Sequence, residues 1–116
     1  ALDPHTRLIG FFGNIDDRKR PLAFVEMIAE VRRIAPELPV AGLMFGATLD
    51  PALERAAKVR AQELQLGEAF HFMGFRRPAA PLMAGCDIHV VTAVDEPFGR
   101  SLIEAMLLGT PVVAVA

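Results

Sequence analysis

The apolar positions of this chain fall into short continuous runs that alternate with segments of helical periodicity. The runs occupy residues 8–13, 39–46, 69–74, 87–91 and 112–115, and each is short enough to be a buried strand. Between them, apolar residues recur every three or four positions in 21–35, 51–66, 78–84 and 101–108. The pattern predicts alternating strands and helices, five strands in all.

Prolines and glycines delimit the predicted helices. Pro21 suits the first turn of the first helix, which should end before Pro36 because proline disfavours helical backbone in the residue ahead of it. Pro51 opens the second helix in the same way, and Gly67 is expected to close it.

Strict alternation of strand and helix indicates a parallel sheet with crossover helices. We therefore predict an α/β fold, a Rossmann-like three-layer αβα sandwich with a parallel sheet of about five strands. For the strand order we assume the Rossmann-like one, 3-2-1-4-5. In that order the first and fourth strands flank the point at which the direction of winding reverses, where ligands bind. The loops after these strands carry Lys19 and Glu96, which should then share one crevice.

Composition narrows the class. The 116 residues suit a single domain, 1–116, and the net charge of −2 argues against nucleic acid as a partner. One cysteine, Cys86, allows no internal disulfide or cysteine metal cluster and fits a cytoplasmic location. The three histidines lack metal-ligand spacing, and His71 and His89 are expected to be satisfied packing residues within strands. No apolar run approaches the ~18 residues of a membrane helix.

The run from Glu96 to Pro111 is the most informative stretch for function. Ser101 and Glu104 have the spacing of a capping box, so a helix is predicted to start there and to end at Gly109. A helix start offers free N–H groups and a positive dipole end to a phosphate, and Glu96 would lie beside it. This arrangement suits a ligand with hydroxyls at one end and phosphates at the other.

Glu96 and Glu104, with seven residues between them in EPFGRSLIEAMLLGTPVV, resemble the E-x7-E motif of retaining glycosyltransferases of the family 4 type. These are GT-B enzymes, and the resemblance is to their C-terminal donor-binding domain. It implies that Glu96 binds the donor sugar and supports the charge that develops at its anomeric carbon. Glu104 would bind the nucleotide ribose, although a capping box with Ser101 or an ion pair with Arg100 is the alternative. The backbone N–H groups of Phe98, Gly99 and Arg100 would lie near the sugar and phosphates.

The segment GNIDDRKR at 13–20 resembles the G-R-L-x-x-x-K-G loop of the same family. Lys19 is kept, and the resemblance implies that it stabilises the leaving diphosphate. Asn14 stands where the family has arginine, and Arg20 stands where it has glycine. The donor-binding residues expected in this loop are Gly13, Asn14 and Arg18, with Arg18 or Arg20 as a replacement cation.

Gly74, Phe75 and Arg76 resemble the turn on which the nucleobase rests in this family, and Arg76 is a candidate base contact. A plain surface loop is the alternative.

The resemblance implies the donor-binding part of a larger enzyme, whose N-terminal acceptor-binding domain would lie outside this chain. The partner would be a nucleoside-diphosphate sugar, with no metal or other cofactor and no sugar transfer by the chain alone. Membrane contact would arise only through the full-length protein. The alternatives are a non-catalytic Rossmann-like module that binds a nucleotide or a protein, and a GT-B sugar-nucleotide epimerase.

Overall fold

The computed structural model describes residues 4–16, 19–76, 79–91 and 111–114 of the chain. Strands and helices alternate along these ranges as the periodicity predicts. In order they are β1 (Arg7–Phe12), α1 (Pro21–Ile34), β2 (Val40–Phe45), α2 (Pro51–Glu63), a 3-10 helix (Gly67–Ala69), β3 (Phe70–Gly74), α3 (Ala79–Ala84), β4 (Ile88–Val91) and β5 (Val112–Ala114). The predicted helix at 101–108 lies outside the described residues.

The five described strands form one sheet in the order β3-β2-β1-β4-β5, and every neighbouring pair is parallel. The predicted Rossmann-like order is therefore confirmed. The chain winds from β1 through β2 to β3 on one side, and β4 then pairs with β1 on the other side. The reversal of winding falls between β1 and β4, as expected.

The face of the sheet under α1 and α2 carries the main core. Phe24 of α1 is fully buried and contacts Phe11 of β1 and Phe70 of β3, with ring centroids 5.4 and 5.5 Å apart. Val25 and Ile28 of the same helix are also fully buried. A buried Phe replaced by Ala costs about 3–5 kcal/mol, so Phe24 contributes strongly to the packing of α1 on the sheet.

Cys86 places α3 on the opposite face. It follows α3 by two residues, and its Sγ lies 2.8 Å from where a Cβ on Gly10 would be. Gly10 alternates with Ile9 and Phe11, which face α1, so Cys86 lies under the other face. Helical segments thus cover both faces, and the three-layer fold class is confirmed.

The predicted end of α2 at Gly67 is wrong. The helix ends at Glu63, where the Leu64 N–H still donates to the Arg60 carbonyl oxygen, and Gln65 then takes a left-handed backbone with φ 56°. The turn brings Leu66 into the core at 3% exposure. Gly67, also left-handed, instead begins the 3-10 helix that leads into β3.

Within the ranges given above, no helix combines the length and the hydropathy that crossing a membrane requires.

Candidate functional site at the carboxyl edge of the sheet

The two strands predicted to flank the crevice, β1 and β4, lie next to each other in the sheet. Ile9 pairs with Ile88 and Gly10 with His89, so β1 and β4 are direct neighbours, about 4.8 Å apart. Along the chain, β1 is followed by β2 on one side of this pair, while β5 lies on the far side of β4. Loops that diverge from adjacent parallel strands leave a cleft at the carboxyl edge, where ligands of open α/β sheets bind.

The structure brings Lys19 back over the end of β1. Its backbone N–H donates to both the carbonyl oxygen and the carboxylate Oδ1 of Asp16, each at 3.2 Å. Its side-chain stem runs along Gly13, since a Cβ at Gly13 would lie 3.5 Å from Lys19 Cδ and 3.6 Å from Cε. Gly13, a predicted donor-binding residue, and Lys19, a predicted catalytic residue, are therefore neighbours at the carboxyl end of β1.

Glycine at position 13 is not required by the packing of the protein itself. The contacts a methyl group would make there are of ordinary van der Waals length. A bare backbone at that point does, however, leave room for a ligand to approach the strand end closely.

Arg20 holds a conformation that glycine adopts freely. Its φ of 53° and ψ of 60° place it in the left-handed region at the start of α1. A side chain in that region costs about 1–2 kcal/mol of backbone strain. The glycine that the family motif has at this position would adopt the same backbone without strain. In this chain Arg20 adds a positive charge there, and the backbone is strained. Asn14 accepts a hydrogen bond from the Asp16 N–H through its carbonyl oxygen, at 3.0 Å.

The turn after β3 reaches the same edge. Gly74 is left-handed with φ 73°, and its carbonyl oxygen accepts from the Gly46 N–H at 2.9 Å. Arg76 folds back and donates from Nε to the Met73 carbonyl oxygen at 2.9 Å, while Phe75 is 59% exposed. Arg76 thus braces its own turn, and the exposed ring of Phe75 lies beside it.

The remaining predicted site residues lie outside the described residues. They are Arg18 in the first loop and Glu96, Phe98, Gly99, Arg100, Ser101 and Glu104 after β4. Their roles stay predictions.

Two residues that sequence analysis did not single out hold the first loop. Ile15 is 3% exposed and pairs with Thr48 beyond the ends of β1 and β2. Gly46 lies directly under Gly13. A lone isoleucine within an otherwise polar segment was the available signal for the first, and no local pattern marks the second.

His89 is buried as predicted, but the expectation that it is satisfied is wrong. It is 1% exposed, and neither ring nitrogen has a hydrogen-bond partner among the residues that the structure describes. Its ring stacks on Phe12 with centroids 5.3 Å apart, and Phe12 stacks in turn on Phe45 at 4.6 Å. Burial lowers the pKa of His89 to about 4, so the imidazole is neutral at pH 7. His71, in contrast, has the expected partner, with Nε2 2.7 Å from the Glu68 carbonyl oxygen.

The thiol of Cys86 is unsuited to nucleophilic chemistry. Burial, with a smaller contribution from the neighbouring Asp87, raises its pKa to about 11. In the described part of the chain no three His, Cys, Asp or Glu side chains are grouped closely enough to hold a metal ion.

Parallel strand order, reversal of winding between β1 and β4, and helices on both faces define a Rossmann-like α/β domain. The sequence model of the family "Glycosyl transferases group 1" matches residues 6–116, and the chain belongs to that family.

Curated relatives carry a consistent name. The chain is 30% identical over 112 residues to a D-inositol 3-phosphate glycosyltransferase from Corynebacterium urealyticum, covering 93% of this chain and 26% of that protein. It is 33% identical over 116 residues to the protein of the same name from Stackebrandtia nassauensis, covering 94% and 26%. The chain therefore spans about a quarter of the length of these relatives.

A solved structure shares the fold throughout. HepE from Anabaena, crystallised with UDP and glucose, superimposes with a TM-score of 0.84 at 30% identity, covering 95% of this chain and 29% of that one. The C-terminal domain of the group 1 glycosyl transferase LpcC from Francisella tularensis superimposes with a TM-score of 0.81 at 23% identity. That match covers 93% of this chain and 57% of that one, and it shows the fold alone.

Proposed function

We propose that this chain is the donor-binding domain of a retaining, family 4 type glycosyltransferase, and that it binds a nucleoside-diphosphate sugar in the cleft between β1 and β4. The observation that carries the proposal is the position of Lys19, whose stem lies against Gly13 at the carboxyl end of β1. Because β4 is the adjacent strand, the loop that carries Glu96 starts from the other wall of the same cleft.

Lys19 acts on the diphosphate. Negative charge builds on the leaving diphosphate as the glycosidic bond breaks, and a fixed ammonium group lowers the energy of that state. The stem of Lys19 lies along Gly13, and the Lys19 N–H is bonded to Asp16, so both the backbone and the side chain of Lys19 have neighbours in the loop. The start of α1 adds to the positive potential, because its first turn contains no acidic residue.

Glu96 acts at the other end of the donor. Its carboxylate binds hydroxyls of the sugar and supports the positive charge that develops at the anomeric carbon, while Glu104 binds the ribose. Transfer then proceeds to a hydroxyl acceptor with retention at the anomeric carbon. The acceptor is bound by a further domain of the full-length enzyme.

The family match and the glycosyltransferase names of the relatives support this function over a non-catalytic module or an epimerase. UDP-glucose is the first donor to test, because HepE was crystallised with UDP and glucose.

The test is a thermal unfolding series of the chain with UDP-glucose, GDP-mannose, ADP-glucose and NAD. A ligand present at about 100 times its Kd stabilises a folded domain by about 2.7 kcal/mol, which raises the Tm by several degrees. We expect a shift with at least one nucleotide-sugar and no sugar transfer by the chain alone. A shift with NAD only would refute the proposal, and measurable transfer by the chain alone would refute its second part.

Glu96→Gln is the matching variant, and Glu63→Gln at the far end of α2 is its control. The first should reduce the shift caused by the nucleotide-sugar and the second should not. Equal shifts in both variants would remove Glu96 from the site.

A further inference from the structure

The loop after β1 is hydrogen-bonded to the loop after β2 beyond the ends of both strands. The Gly13 N–H donates to the Phe45 carbonyl oxygen at 3.0 Å, and the Ile15 N–H donates to that of Ala47 at 2.9 Å. The Leu49 N–H returns a bond to the Ile15 carbonyl oxygen at 3.3 Å. The loop expected to hold the diphosphate is thus an extension of the β1–β2 ladder over residues 13–15.

Gly46 is the point at which the two loops come closest. A Cβ built on Gly46 would lie 1.7 Å from the Gly13 carbonyl oxygen, 2.6 Å from its carbonyl carbon and 3.3 Å from the Asn14 nitrogen. All three are backbone atoms, so no side-chain rotation relieves the collision. Any side chain at position 46 must push residues 13 and 14 away.

Gly46 also holds the turn after β3. Its N–H donates to the Gly74 carbonyl oxygen at 2.9 Å, and that turn carries Phe75 and Arg76. One residue without a side chain therefore connects the loop expected at the diphosphate with the turn expected at the nucleobase.

The displacement would reach Lys19 through two contacts. The Lys19 stem lies along Gly13, and the Lys19 N–H is bonded to Asp16, which follows the buried Ile15. We propose that Gly46 is a positioning residue of the nucleotide-sugar site. Because it has no side chain, residues 13–15 can pair closely with the chain that follows β2, and this pairing determines the position of the Lys19 ammonium group. The inference rests on the proposed function for its ligand, although the placement of the loop does not.

The experiment compares the wild-type chain with Gly46→Ala and with Gly67→Ala as the matched control. Gly67 is left-handed with φ 52°, and a Cβ there meets nothing within 4 Å, so its substitution brings backbone strain without a collision. For each chain we would measure the Tm, the Kd for UDP-glucose by calorimetry, and amide hydrogen exchange at Gly13 and Ile15.

Gly46→Ala is expected to raise the Kd for UDP-glucose by at least ~10-fold, because a shift of about 1 Å in a positioning element has effects of this size or larger. The Gly13 and Ile15 amides should exchange faster in this variant. Gly67→Ala should lower the Tm yet leave the Kd and both exchange rates close to those of the wild type. A wild-type Kd in Gly46→Ala, or equal losses of affinity in both variants, would overturn the inference.

Ile15→Ala is the replacement variant if Gly46→Ala does not fold. It keeps glycine at position 46 and removes the buried anchor of the same loop, so it should raise the Kd and the exchange rate of the Ile15 amide together. Unchanged binding in a folded Ile15→Ala chain would overturn the proposal. If the wild type binds no nucleotide-sugar, the proposed function fails, while the exchange rates in Gly46→Ala still decide whether Gly46 places the loop.

Discussion

The starts of α1 and α2 lie side by side at the carboxyl edge, yet they are built in opposite ways. Residues from both line one depression, which includes Arg20, Glu26 and Leu53, and both helices begin with proline. At α2, the Asp50 side chain accepts a hydrogen bond from the Leu53 N–H at 3.1 Å. At α1, the residue in that position is Arg20, in a strained left-handed conformation and without a capping side-chain bond.

The charges follow the same division. Glu54 in the first turn of α2 accepts a hydrogen bond from the Thr48 hydroxyl and forms an ion pair with Lys58 at 2.9 Å. Both interactions lower the pKa of Glu54. The first turn of α1 has no acidic residue and follows Lys19. The protein therefore places carboxylates of its own at the cap and in the first turn of α2, and none in the first turn of α1. One helix start is arranged for stability, and the other suits an anion from outside.

The largest predicted effect is on the free energy of unfolding, which should fall in acid because of the buried His89 in β4. The two helix starts should therefore be compared well above pH 6.5, where His89 is neutral in both the folded and the unfolded chain. Between pH 6.5 and 4 the unfolded chain binds a proton on His89 that the folded chain does not, because burial lowers the folded pKa to about 4. Lowering the pH from 6.5 to about 4 should therefore reduce the free energy of unfolding by up to about 1.4 kcal/mol per pH unit, and this contribution should level off below pH 4. His89→Leu should abolish this part of the slope in denaturant titrations, and His71→Gln should retain it. An identical slope in the wild type and His89→Leu would show that His89 is not buried as a neutral imidazole.

Lys19→Ala should separate the two helix starts most clearly. Losing a charge-assisted hydrogen bond to phosphate costs about 1.5–3 kcal/mol, so the Kd for a nucleotide-sugar should rise about 10- to 100-fold with little change in Tm. Lys58→Ala is the control, since Lys58 is paired with Glu54 and stacks over Phe72. Calorimetric titration of both variants measures the difference. Equal affinities in the two variants would break the distinction between a binding helix start and a structural one.

Asp50→Ala should do the reverse. Removing a helix-capping carboxylate costs about 1 kcal/mol, which lowers the Tm of a domain of this size by about 4–8 °C. Affinity for the nucleotide-sugar should be unchanged, and Asp50→Ser should recover most of the stability because serine also caps. A loss of affinity in Asp50→Ala without a loss of stability would contradict the assignment of α2.

Arg20→Gly is expected to have the smallest effect. Glycine accepts the left-handed backbone without strain, although it also makes the unfolded chain more flexible, so the net gain should be about 0.5 kcal/mol over wild type. Arg20→Ala keeps the strain and loses the side chain, so it should be less stable than Arg20→Gly. Chemical denaturation of the three chains tests the order, and an alanine variant at least as stable as the glycine variant would show that the backbone at residue 20 is not strained.

Much of the fold was predictable from sequence because it depends on local periodicity. The boundaries of α1 follow from Pro21 and Pro36, and the parallel sheet follows from the alternation of strands and helices. The strand order was assumed by analogy with Rossmann-like folds, because no pattern along the chain encodes it. The end of α2 was not predictable, because a left-handed Gln65 is locally unfavourable and is held by the burial of Leu66. The hydrogen-bond partners of His89, none of which comes from the described part of the chain, depend on which residues surround it in three dimensions, and no pattern along β4 encodes them.

The candidate site likewise has residues that local sequence predicts and residues that depend on contacts between distant parts of the chain. Lys19 and Gly13 were predicted from a resemblance in sequence, and the structure places the Lys19 side chain beside Gly13. Gly46 was missed because its constraint comes from Gly13, more than thirty positions earlier in the chain. Long-range steric contacts of this kind leave no periodic or motif signal.

In the proposed complex, Lys19 and Glu96 contact opposite ends of one nucleotide-sugar bound in the cleft between β1 and β4. A crystal structure of the chain with UDP-glucose would show whether they do. We predict the Lys19 ammonium group within about 3 Å of a diphosphate oxygen and the Glu96 carboxylate at a similar distance from a sugar hydroxyl. A ligand bound at another edge of the sheet, or one in the cleft that Lys19 does not touch, would contradict the account.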